Sequence, residues 1–244
     1  MKAITMFIYS VVCYLIGFAS IIYWILSVSN LIPEISIDGV PKVPITQAIL
    51  TNVLLITLLG LQHSIMARKS FKKFITQFIP EPIERSTFVL MSGITLTMLV
   101  YFWEPVGGII WTFQMGSFAF YAMYVLFFVG WVIMFISTFL INHFDLFGLR
   151  QAYLGLRGKP YKPLQFKVWS FYKYTRHPLY FGCILGVWST PHMTATHLFF
   201  ATLVTSYFVI GALFEENDLR REFGDQYRHY MSKTAMIVPF LRIK

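Results

Sequence analysis

The chain has 244 residues, of which 57% are hydrophobic and only 13% charged. A soluble domain carries about a quarter charged residues, so this chain has too little polar surface to cover a water-soluble fold, and a bilayer resolves the conflict. The formal net charge of +9 calls for no nucleic acid, because basic juxtamembrane loops facing anionic lipid account for it.

Six apolar segments follow one another. The first, near 4–28, is long enough to cross about 30 Å of hydrocarbon and lacks a convincing small-residue cleavage site, so it reads as a transmembrane helix and not a cleaved signal. The others lie near 46–66, 86–103, 115–141, 179–190 and 194–214. The fifth reaches only about 18 Å at helical rise and stops at Thr190-Pro191, and the sixth begins almost at once. That pair reads as a helical hairpin, spanning or re-entrant, which returns the chain to the side it left. The expected fold is all-α: a polytopic transmembrane helical bundle of five to six hydrophobic segments, the last two forming a hairpin. One domain, 1–244, is expected, with membrane helices over about 1–141 and a loop, hairpin and tail over 142–244. Cys13 and Cys183 sit far apart in apolar runs and read as packing residues, not a disulfide or metal pair.

Charge gives the orientation. Of the 20 Lys and Arg residues, all but Lys42 fall at the N-terminus, between segments two and three, between four and five, or after six. Under the positive-inside rule, both termini and the two basic loops are cytoplasmic. The polar mass is concentrated in loop 142–178 and tail 215–244, so chemistry using a water-soluble cofactor is expected at that face.

Four groups of residues could carry chemistry. In Arg176-His177-Pro178-Leu179-Tyr180-Phe181-Gly182, Pro178 suits the first turn of a helix, and the exposed N–H groups there favour an anion such as a carboxylate. A snorkelling Arg and an interfacial His-Tyr anchor is the plainer reading. Glu215 and Glu216 are expected to end a long apolar helix, where carboxylates oppose the dipole; they could accept hydrogen bonds from both hydroxyls of a ribose or balance a cation, or be a solvated helix end paired with Arg220 and Arg221. Asn142-His143-Phe144-Asp145 leaves segment four, and in a non-helical turn Asp145 could orient the His143 imidazole as a general base; a helix-stop turn with an interfacial His is the alternative. Gln62-His63-Ser64, closing segment two, and Glu84-Arg85-Ser86-Thr87, opening segment three, read first as interfacial polar groups and a helix cap. No GxGxxG after a strand, GxxxxGK[ST], HExxH or paired CxxC occurs, so no Rossmann site, P-loop or metal site is indicated. The spans carry almost no charge, which counts against an ion channel or proton-coupled transporter.

Arg176-His177-Pro178-x-Tyr180-x-Gly182 followed about 35 residues later by Glu215-Glu216 resembles the isoprenylcysteine carboxyl methyltransferase superfamily of integral-membrane methyltransferases. The tail from Phe223-Gly224 through Tyr227 and Tyr230 to Val238-Pro239 matches the superfamily's usual close. Gln62 to Arg68, Glu84 to Thr87, Asn142 to Gln151 and Trp188 to Thr194 further resemble the bacterial branch acting on methanethiol, over most of the chain from about residue 50. Asn217 departs from the branch's EERDL run, and Ser170-Phe171 replace a Pro or Gly common in relatives.

The resemblance implies S-adenosylmethionine (SAM) as cofactor, held by Arg176, His177, Tyr180, Gly182, Glu215 and Glu216, and S-methylation of methanethiol to dimethyl sulfide at the cytoplasmic face of a bacterial inner membrane. For the reaction itself His143 is expected as the base, or as the group that passes the proton to water, with Asp145 orienting it and Asn142 beside them, and Gln62, His63 and Arg150 as a substrate pocket. The partners expected are a small volatile thiol and membrane lipid, with no nucleic acid and no metal. Another thiol or a lipid as acceptor, or a non-catalytic protein of the nitrite and nitric-oxide context, stays open. The topology is testable directly: reporters fused after Lys244 or within 150–165 should read cytoplasmic and one near 105–112 external, and an external C-terminus would overturn the placement of the site.

Overall fold

A computed structural model describes residues 2–241; Arg242 and Lys244, counted above in the basic tail, lie outside them. Helices form where an apolar run is free of Pro and stop at Gly, Pro or polar turns. The long ones are α1 (Lys2–Val28), α2 (Ile45–Ala67), α4 (Glu84–Tyr101), α5 (Phe118–Ile141) and α9 (Ala195–Phe223). The shorter ones are α3 (Lys69–Ile75), α6 (His143–Leu146), α7 (Leu149–Leu156), α8 (Pro178–Trp188) and α10 (Asp225–Lys233). Five helical stretches, α4 being counted with the turn before it, are long and apolar enough to cross a membrane. The protein is therefore an integral membrane protein of the all-α polytopic class. The 11-residue α8 rises only about 16 Å, as the short fifth segment foretold.

Two features differ from expectation. First, α9 runs to Phe223, so Glu215 and Glu216 lie two turns inside it and do not end it. Leu219, Arg220, Arg221 and Glu222 are good helix formers, the two arginines sit favourably in the last turn, and Gly224 at φ +56° ends the helix. Second, β1 (Ile109–Thr112) pairs antiparallel with β2 (His192–Thr194), a ribbon too short for alternation to reveal. At the start of α4, Glu84 lies in the first turn, but Ile83 holds the cap position without a side-chain cap.

The chain forms two compact units. One takes the residues up to Gly107 together with Asn142–Pro163; the other takes Gly108–Ile141 and the chain from Leu164 onward. Residues 142–163 go with the N-terminal helices, and α5 goes with the hairpin.

Membrane helices gain little from hiding apolar surface from lipid, so small residues and interhelical hydrogen bonds hold them. In the first unit, Gly17 of α1 meets Gly93 and Val89 of α4 so closely that a Cβ on Gly17 would lie 2.6 Å from the Val89 methyl. Thr97 donates to Ser20 at 3.0 Å, and the Tyr9 and Thr87 hydroxyls meet at 3.0 Å. Buried Asn52 of α2 exchanges two hydrogen bonds with the backbone of Glu104. In the second unit, α5 and α8 touch at Gly130, Gly182 and Gly186. The α9 imidazole of His197 lies 2.8 Å from the Val187 carbonyl of α8, and the Trp188 indole donates to Thr205 at 2.9 Å. Cys13 and Cys183 are buried free thiols.

A Cβ at Gly182 would lie 2.6 Å from both the Gly130 carbonyl oxygen and the Met134 amide nitrogen. Backbone cannot step aside, so Gly182→Ala should lower the melting temperature in detergent, with about 1–3 kcal/mol of overpacking. Gly211→Ala, in the same unit with nothing within 4 Å of the added carbon, should be neutral or slightly stabilising. Equal melting points for the two variants would refute the packing account.

Candidate active site

In the second unit a charge cluster is built from the start of α8 and the middle of α9. Pro178 occupies the first turn of α8 and His177 its N-cap position. Glu216, one turn after Ala212 on the buried face of α9, has a side chain only 5% exposed. A carboxylate so placed needs partners of opposite charge and donors for its lone pairs. Arg176 supplies a forked pair, Nε to Oε1 at 2.5 Å and Nη2 to Oε2 at 3.2 Å, and His177 Nε2 lies 3.1 Å from Oε1. The other ring nitrogen, Nδ1, lies 3.5 Å from Oε2 of Glu215, which also accepts from the Tyr180 hydroxyl at 2.9 Å.

The acidic pair is thus divided: Glu216 faces inward, whereas the Glu215 side chain is 48% exposed. His177 stacks flat on the Tyr180 ring, with centroids 5.1 Å apart, and Tyr180 stacks on Phe208. A histidine with a carboxylate at each nitrogen can donate to both only as imidazolium. Burial favours the neutral ring, but the hydrogen bonds and charges of Glu215 and Glu216 outweigh it and raise the His177 pKa above the ordinary 6.5. Arg176 looks inward too: Nη1 donates to the backbone carbonyls of Met231 and Thr234. Gly182, grouped with these residues from the sequence, presents its open face to α5 and serves helix packing. Tyr227, 1% exposed, is another member of this region, its pKa raised first by burial and then by the charges of Glu216 and Glu215.

In the first unit, His143 is 3% exposed and packs on Phe147, ring centroids 4.7 Å apart. Its Nε2 lies 3.0 Å from the Tyr14 hydroxyl of α1. Burial lowers its pKa, so it is neutral at physiological pH. Asp145, expected to orient that ring, also meets other groups. α6 is a helical turn, and it aims the Asp145 carboxylate at Arg150, 2.6 Å away, and at the Tyr161 hydroxyl, 3.2 Å away. Asn142 caps that turn, accepting from the Asp145 amide at 3.1 Å. Gln62 accepts from Thr95 at 3.1 Å, and His63 lies against Phe88, with its Nδ1 3.5 Å from the Ser92 hydroxyl. Phe88 belongs to the buried cluster with Val89 and Phe147, against which Tyr14 and Met66 pack. Arg85 lies over the Phe88 ring and donates to the Leu146 carbonyl at 2.8 Å. No local signal marks Tyr14, a lone hydroxyl in an apolar run, or Tyr161, sixteen positions from its carboxylate.

A polytopic helical membrane protein with an RHPxY turn opening a short helix, paired with a carboxylate couple on the next, has the make-up of an integral-membrane methyltransferase. The chain is 43% identical over 236 residues to methanethiol S-methyltransferase of Crocosphaera subtropica, covering 96% of this chain and 91% of that one. It is 40% identical over 240 residues, 98% of each, to methanethiol S-methyltransferase of Mycobacterium tuberculosis. Nurim of Sus scrofa is 27% identical over 167 residues, 65% of this chain and 63% of nurim. No family model and no solved structure matches. The chain belongs to the methanethiol S-methyltransferase family.

The raised pKa of His177 gives a sign for stability against pH. The folded protein holds a proton that the unfolded chain releases near pH 6.5. Its stabilisation is full below that pH and is lost as pH rises through the higher folded value. The melting temperature in detergent should therefore fall across that window, and His177→Gln should flatten the fall; an unchanged slope would show that His177 is not the group responsible.

Proposed function

We propose that the protein transfers the methyl group of SAM to methanethiol, giving dimethyl sulfide and S-adenosylhomocysteine, at the cytoplasmic face of a bacterial inner membrane. The observation that carries this reading is the division of the acidic pair, with Glu216 neutralised internally and Glu215 half exposed beside Tyr180 and His177. The residues fit the donor: an exposed carboxylate can accept from a ribose diol or pair with an ammonium group, and the N-terminus of α8 favours a carboxylate. SAM supplies an electrophilic methyl group on a sulfonium. Glu215, Tyr180 and His177 would bind and orient it, while Arg176 and Glu216 hold those three groups in place. Placing the reacting atoms in line supplies a large part of the rate.

The acceptor is weakly nucleophilic as a thiol and strongly so as a thiolate, so its proton must leave. His143 is the candidate base, since burial keeps its imidazole neutral and able to accept. Tyr14 would set the ring's orientation, the task expected of Asp145. Asp145 in turn would hold Arg150 and Tyr161. Gln62, His63 and Arg150 are kept as candidates for the thiol pocket, where only apolar fit and size can discriminate.

Purified protein should consume SAM with methanethiol and much less with longer thiols or lipid acceptors. Glu215→Ala and His177→Ala should weaken SAM binding in calorimetry while the proteins remain folded. His143→Ala should keep SAM affinity but lose about 10²–10⁴ in turnover, the range of a positioned acid-base group, and the defect should shrink as pH rises. Parental SAM binding by both donor-site variants would sink the cofactor assignment, and normal turnover of His143→Ala at neutral pH would sink the base.

A further inference from the structure

Residues 172–177 are fastened to the tail, 230–237, by a set of bonds made almost wholly to backbone. Thr175 and Ala235 form a parallel bridge. The Arg176 amide donates to the Ala235 carbonyl at 2.8 Å and the His177 amide to the Met236 carbonyl at 3.1 Å. The Tyr230 hydroxyl donates to the Tyr172 carbonyl at 2.5 Å. Arg176 reaches the Met231 and Thr234 carbonyls. At the centre is Thr175, 2% exposed. Its one hydroxyl proton is shared between the Ile237 carbonyl at 2.7 Å and the Met236 carbonyl at 3.0 Å, and its oxygen accepts from the His177 amide at 3.3 Å.

His177 has a non-helical backbone, φ −125° and ψ 62°, and no side chain caps α8 behind it. Its backbone is therefore set by what its amide bonds to, and those acceptors are the Thr175 hydroxyl and the tail. From that backbone the imidazole reaches Glu216 with one nitrogen and Glu215 with the other. A small turn of the peptide would break the Glu215 contact first, because at 3.5 Å it is already longer than an ordinary hydrogen bond, whereas the Glu216 contact is 3.1 Å.

We infer that Thr175 is a positioning residue of the methyl-donor site: its hydroxyl pins the C-terminal tail to the His177 backbone and so fixes the imidazole between Glu215 and Glu216. This rests on the reading that the His177–Glu215 cluster holds SAM. The tail is then a structural wall of the site and not an appendage, and SAM affinity depends on a side chain that does not touch SAM.

The test compares Thr175→Val, which keeps the shape and removes the hydroxyl, with Thr175→Ser, which keeps the hydroxyl, using S-adenosylhomocysteine as the calorimetric probe. Losing a buried hydrogen-bonding group should weaken binding by at least about tenfold in the Val variant. The KM for methanethiol at saturating SAM should not change, and Ser should restore binding to near the parent. A mere loss of stability would move neither selectively, nor be rescued by Ser. Parental binding by the Val variant, or equal loss in Val and Ser, overturns the inference. Should the Val variant fail to fold, Tyr230→Phe, which removes the donor to the Tyr172 and Thr175 carbonyls, must weaken binding in the same direction, and unchanged binding there overturns the inference as well. Failure of the parent itself to bind the probe removes the donor reading, and the inference with it; a binding parent with an indifferent Val variant removes the inference alone.

Discussion

A carboxylate buried inside a membrane helix, Glu216, is the constraint on which the second unit depends. Left alone it would cost several kcal/mol of desolvation, and it persists only because a forked guanidinium and an imidazolium meet it. Each partner is then recruited further. Arg176 has donors left over and spends them on tail carbonyls; His177 has a second nitrogen and turns it to Glu215. One buried charge thus ties α8, α9 and the tail together and leaves Glu215 as the half-exposed acceptor.

The scaffold beneath this cluster follows the rules of membrane packing. Glycines on α5 and α8 bring two backbones close enough that any side chain would collide, and the same device joins α1 to α4. Hydroxyl, amide and imidazole groups bridge helices where no water competes for them. Rigid backbone contact makes the start of α8 a fixed platform, so the imidazole and hydroxyl it carries are held before any ligand arrives. That suits a transfer in which alignment, more than covalent chemistry by the protein, lowers the barrier.

The first unit holds a different kind of group. His143 is dry, neutral and backed by aromatic rings, with a tyrosine hydroxyl at Nε2. His177 is dry too, but the carboxylates of Glu215 and Glu216 raise its pKa, whereas burial lowers that of His143. Asp145, near His143 in sequence, is absorbed by Arg150 and closes the loop at Tyr161.

Composition and hydropathy determined by themselves that the protein is a membrane bundle, where its long spans lie and that the fifth segment is short; the motif residues pointed to a helix start at Pro178 and to the family. Those signals are local: an apolar run, a proline at a helix start or a string of motif residues needs no knowledge of what folds against it. The tertiary structure alone decided which of two adjacent glutamates is buried, that Arg176 turns to the tail, that Tyr14 meets His143, and that Gly182 serves a neighbouring helix. Each of those depends on partners some 40 to 130 positions away, or on the direction a side chain leaves a one-turn helix. No periodicity reports such pairings, because a buried charge selects its partner by proximity in space. Even the end of α9 shows this: the acidic pair reads locally as a stop, and only its partners across the unit make it stable inside the helix.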